Sequence, residues 1–144
     1  MSRLARLNRQ LGMGRNTRPW LTAAVLAHLV ISIVHGAAHA NAHVPLSTAA
    51  NLFVFIVILA GPVVGLALTW RADRIGSWIV AITMAASFAF GVVNHFILAS
   101  PDHVAHVAGQ WRPLFATTAV LLALTEALGS GLAIRFAGER KNLS

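Results

Sequence analysis

Four long apolar stretches, Trp20 to Ala42, Ala49 to Trp70, Ile75 to Ala99 and Pro113 to Phe136, take up most of this 144-residue chain. Each reaches the ~20 residues an α-helix needs to cross a hydrocarbon core of ~30 Å. The chain is 57% hydrophobic and 10% charged, far from the roughly 25% charged content of soluble domains. Its mean hydropathy is +0.71. The fold expected is an all-α integral membrane protein, a four-transmembrane-helix bundle running up-down-up-down. Residues 1–18 form a basic N-terminal arm, residues 19–136 a single membrane domain with spans 20–42, 49–70, 75–99 and 113–136, and residues 137–144 a tail.

The formal net charge of +7 does not point to nucleic acid, because the basic residues are placed by topology. Arg3, Arg6, Arg9, Arg15 and Arg18 precede the first span, Arg71 and Arg74 join the second to the third, and Arg135, Arg140 and Lys141 end the fourth. All fall on one side if the helices alternate in direction. The other side offers Arg112, offset by Asp102. The positive-inside rule then puts both termini in the cytoplasm of a multi-pass protein of the inner cell membrane. Trp20, Trp70, Trp78 and Trp111 fall at span boundaries, where amphipathic rings prefer to lie.

No cysteine is present, which excludes disulfides, thiolate metal sites and iron–sulfur clusters. The basic arm and first apolar run resemble a signal peptide in order, but the run is too long and contains histidines, so it reads as a retained helix. Pro45 should end helix one near His43, and Ser47 should cap helix two. Gly61-Pro62 should kink helix two. Ala127 and Gly131 on helix four form a small-x-x-x-small pair suited to close helix contact.

Chemistry concentrates in the histidines. His28, His35, His39 and His43 lie on helix one at spacings of seven, four and four, one polar stripe about 80° wide at ~100° per residue. Unpaired imidazoles are expensive in hydrocarbon, so the stripe should face the bundle interior. At a ~1.5 Å rise per residue, His39, Asn51 of helix two and Asn94-His95 of helix three share one depth, about 28–30 Å from the inner boundary. The following loop adds Asp102, His103 and His106 at the same end.

Neutral imidazoles with a carboxylate suit copper(II), iron(II) or zinc. His35, His39 and His95 are the expected core of a mono- or dinuclear metal site. His43, Asp102, His103 and His106 are further ligands, and Asn51 and Asn94 orient imidazoles from behind. The corresponding function is a metal-binding protein or a metal-dependent oxidoreductase acting on a small or lipid-soluble substrate. A b-type haem between axial histidines of helices one and three is a second reading, for which Gly36, Ala38 and Gly91 would make room.

Deeper in the bilayer, Glu126 and His28 come level at about 12–13 Å from the inner boundary, and can form a buried pair or a proton relay toward His35 past Ser32. A proton- or cation-translocating protein is the third reading. Four helices are few for a monomeric carrier, so that reading calls for a homo-oligomer or a membrane partner protein.

Overall fold

The computed structural model describes residues 17–141, without the side chains of residue 73 and residues 139–141. Most of the basic arm and the last three residues of the tail lie outside the described residues. Four helices long and apolar enough to span a membrane are present among them. We label them α1 (Arg18–Asn41), α2 (Thr48–Leu68), α3 (Asp73–Val92, continued as a π-helix over Val93–Ile97) and α4 (Arg112–Lys141).

Local chemistry sets the ends. Pro19 sits in the first turn of α1, where its missing N–H is no loss. The α1 helix stops at Asn41, and His43 takes a left-handed backbone with φ of 54°, a turn completed before Pro45. Ser47 caps α2 by accepting from the Ala50 N–H at 3.1 Å. The break foreseen at Gly61-Pro62 takes the form of a π-helix over Val54–Ala60. Proline removes one backbone donor, and the wider π turn absorbs the mismatch.

The helices alternate in direction. Contacts of His35 on α1 with His95 near the end of α3 and Thr118 near the start of α4 define one end of the bundle. At the other end Arg18 of α1 donates to the Thr69 carbonyl at 2.6 Å and lies over the rings of Trp70 and Phe136. Packing runs α1 on α4, α4 on α3 and α3 on α2, whereas α1 and α2 touch sparsely. The ring of helices is therefore loose along the α1–α2 seam.

One apolar cluster, Leu21, Val25, Val80, Ala81, Met84, Ala133 and Phe136, fills the end near Arg18. A smaller one, Ala38, Val107 and Phe115, fills the histidine end. Ile33, Phe55, Ile82 and Leu124 point outward and are exposed, the inverted surface of a protein solvated by lipid. The small-residue pair Ala127 and Gly131 also faces outward. The close contact of α4 falls on Gly129, against Met84 of α3. Position on the helix, set by the rest of the bundle, decided which small residues meet a neighbour.

Candidate metal centre

The π-helix at the end of α3 places His95. Its last turn closes with the Leu98 N–H on the Val93 carbonyl at 2.8 Å, and the chain then turns extended. The connecting loop folds back on it: the Val104 N–H donates to the His95 carbonyl at 3.0 Å, and His95 Nδ1 donates to the Asp102 carbonyl at 3.0 Å. Loop and imidazole orient each other.

Three buried imidazoles, His35, His39 and His95, meet here, each offering a ligand atom within 4.8 Å of the others. They could hold a metal ion. The His35 and His39 rings stand edge to face, 4.8 Å apart, as one helical turn dictates. Phe115 of α4 packs against all three rings at centroid distances of 4.7–5.4 Å, an apolar wall that limits their rotation.

Hydrogen bonds settle the tautomers of two of them. The Thr118 hydroxyl is 2.7 Å from the Leu114 carbonyl, which only accepts, so its proton goes there. His35 Nδ1, 2.8 Å from the same oxygen, must then be the donor. His95 Nδ1 faces only acceptors, the Asp102 carbonyl and the Asp102 carboxylate at 3.2 Å. Both rings thus carry hydrogen on Nδ1, and their Nε2 atoms face each other at 3.2 Å. Two neutral imidazoles in these tautomers present lone pair to lone pair.

Asp102 sits between His39 Nε2 and His95 Nδ1, 3.2 Å from each. Neither contact is aligned as a hydrogen bond, since Asp102 Oδ1 has no such partner, so the attraction is electrostatic. Burial alone would push this carboxyl up. The His95 contact, and attraction to His95, His39 and His35 whenever these carry a proton, outweigh burial and hold it below its ordinary range. Its place behind His95 is that of a carboxylate orienting an imidazole through the nitrogen remote from a metal.

The other expected site residues lie differently. His43 is exposed in its turn. His103 and His106 pair with each other, ring centroids 5.0 Å apart, but His103 Nδ1 accepts from the Ala105 N–H at 3.1 Å and His106 Nδ1 donates to the Ser100 carbonyl at 2.8 Å. The loop backbone thus occupies the lone pair that a chelating pair would need from His103. Asn51 donates to the Leu46 carbonyl at 3.3 Å and Asn94 to the Phe90 carbonyl at 2.8 Å, so their amides serve the backbone. The role foreseen for them falls to Thr118 for His35 and to Asp102 for His95. Thr118 was a threonine in an apolar helix, and its only signal in sequence was a hydroxyl near the start of α4.

Below the triad, His28 Nδ1 lies 3.7 Å from Glu126 Oε1, both side chains almost fully enclosed. A cavity of about 310 Å³ runs from the triad to Glu126, lined by His35, His39, His95, Asp102 and Glu126 and by apolar side chains including Val54, Ile58, Phe90 and Leu122. Gly36 and Ala40 of α1 and Asn51 and Val54 of α2 also line it, along the loose α1–α2 seam. Comparison with protein-family models, with curated proteins and with solved structures gives no match.

Proposed function

We propose that this chain is a multi-pass membrane metalloprotein of the inner cell membrane, both termini cytoplasmic, with one transition-metal ion held by His35, His39 and His95 near the extracytoplasmic face. The observation that carries the reading is the approach of the two Nε2 atoms, 3.2 Å apart with both protons committed elsewhere. Lone pairs so placed repel unless a cation lies between them. Metal–nitrogen bonds of 2.0–2.1 Å at a tetrahedral angle put two ligand nitrogens about 3.3–3.4 Å apart. Imidazoles without thiolates suit zinc, copper(II) or iron(II).

Three protein ligands leave a coordination position open, as in catalytic rather than structural sites. The three histidines line the cavity beside α1 and α2, so an ion they held would be open to a small, largely apolar substrate arriving from the bilayer; with copper or iron the chemistry would be a redox reaction. A b-type haem fits less well. Axial imidazoles lie on opposite faces of a macrocycle, whereas the His35 and His95 rings touch at 4.9 Å, and Phe115 packs on both.

Elemental analysis with absorption and electron paramagnetic resonance spectra on detergent-purified protein tests the reading. The expected result is close to one zinc, copper or iron per chain, lost in His35→Ala and His95→Ala. A parent that carries no metal and takes up none from zinc, copper or iron overturns it; the Nε2 pair then shares a proton instead.

A further inference from the structure

The second buried acid–base pair adjoins the same cavity, and its hydrogen bonds can be followed as those of the triad were. His28 Nε2 lies 3.0 Å from the Ile58 carbonyl. Ile58 lies in the π-helical stretch just before Pro62, which supplies no N–H to the carbonyls behind it. A carbonyl only accepts, so His28 Nε2 carries hydrogen and donates. This leaves His28 Nδ1, which has no hydrogen-bond partner, facing Glu126 Oε1 at 3.7 Å.

His28 is 1% exposed and Glu126 2%. A neutral imidazole with hydrogen on Nε2 would present its Nδ1 lone pair to a carboxylate oxygen, two electron-rich atoms in a buried site. A single proton between them removes the conflict, whether it rests on oxygen or on nitrogen. The pair therefore holds one proton as a unit.

The other carboxyl oxygen faces the cavity. A methyl group placed on Gly91 would lie 3.9 Å from Glu126 Oε2 and 3.9 Å from His95 Cδ2, the carbon next to the nitrogen that faces His35. Glu126 Oε2 and the ligand edge of His95 thus flank one small space over a glycine. The ionisable groups lining this cavity are His35, His39, His95, Asp102 and Glu126. Of these, Glu126 stands apart from the cluster of the other four.

We propose that Glu126 is the proton-transfer residue for chemistry at the three-histidine centre, with His28 as the group that shares its proton. The inference rests on the metalloprotein reading above. A proton passes from the Glu126 carboxyl to an oxygen or nitrogen base held in the cavity. That base becomes its conjugate acid, Glu126 becomes a carboxylate, and no electron moves. The carboxylate then faces the His28 lone pair, an arrangement that favours return of a proton to the pair. The reverse step takes a proton from a protic molecule in the cavity. The substrate implied is a small, mostly apolar molecule with one exchangeable proton, matching the apolar walls and the one carboxyl that stands apart from the histidine cluster.

The test is infrared difference spectroscopy of the metal-loaded protein with and without azide, an anion that takes open positions on such metals. The expected spectrum contains a carboxyl signal that vanishes in Glu126→Gln, is displaced in Glu126→Asp, and moves in His28→Gln, with the metal content of Glu126→Asp equal to the parent's. An azide spectrum free of any Glu126 signal, with metal and azide both bound, overturns this inference alone. A parent that binds no metal overturns the metalloprotein reading and this inference with it. Loss of metal from both Glu126 variants assigns Glu126 to holding the bundle together and overturns the proton-transfer role.

Discussion

His35 Nδ1 donates to the Thr118 hydroxyl across 2.8 Å, and this bond turns the Nε2 lone pair of His35 toward His95. An α4 residue thereby decides how an α1 imidazole presents itself. Thr118→Val keeps the shape of the side chain and removes the acceptor. The His35 N–H is left buried without a partner, a loss of about 1–3 kcal/mol. Metal affinity should fall about 10–100-fold, measured by competition with a chelator of known affinity. Unchanged affinity would show that His35 does not need this support.

His43, His103 and His106 should prove dispensable. His43 is exposed, and the loop pair is engaged with its own backbone. Exposed substitutions away from a site stay within about 0.5 kcal/mol, so His43→Ala and His106→Ala should keep the parent's metal content and its affinity within roughly twofold. Loss of metal from His106→Ala would move the centre into the loop.

Acidification should release the metal, since imidazoles must be deprotonated to bind it. Proton competition for the three imidazoles should therefore grow as pH falls. Asp102 follows the opposite schedule. Its carboxyl is held below the ordinary range, so its contribution to stability is complete above the unfolded-state value and is lost only as pH falls through the lower folded-state value. Metal release followed by elemental analysis should therefore precede the loss of helical circular dichroism as pH is lowered. Simultaneous loss would tie the fold to the metal.

The orientation can be read with introduced cysteines, because the chain has none of its own. Ser2→Cys and Gly109→Cys should label from opposite sides of sealed vesicles, the first from the cytoplasmic side. Labelling from one side would overturn the topology drawn from arginine placement.

Much of this arrangement was already legible in the chain. Four long apolar helices, the Ser47 cap, the proline-bounded turn after α1 and the inward stripe of His28, His35 and His39 all follow from local rules. Hydrophobic length, capping and a 3.6-residue period act over a few residues, so sequence carries them. The depth match of His28 with Glu126, and of His39 with His95, needed only a constant rise per residue and helices that alternate in direction.

What sequence placed in one layer, the tertiary structure divided. Depth is one coordinate, and ligation needs three. Asn51 and Asn94 lie near the right height but spend their amide N–H groups on their own helices or loops, His43 lies exposed at the right end, and His103 and His106 bond their own loop backbone. Rotation of each helix about its axis, set by packing among α1, α4 and α3, selected His35, His39 and His95. That same packing brought in Thr118 and Phe115, which no local pattern distinguishes from other residues of an apolar helix, and chose Gly129 over Gly131 as the close contact. Sequence alone determined which residues could enter a membrane site and at what depth. The azimuth and tautomer of His35 depend on partners 60 to 83 residues away along the chain, and only the assembled bundle decided them.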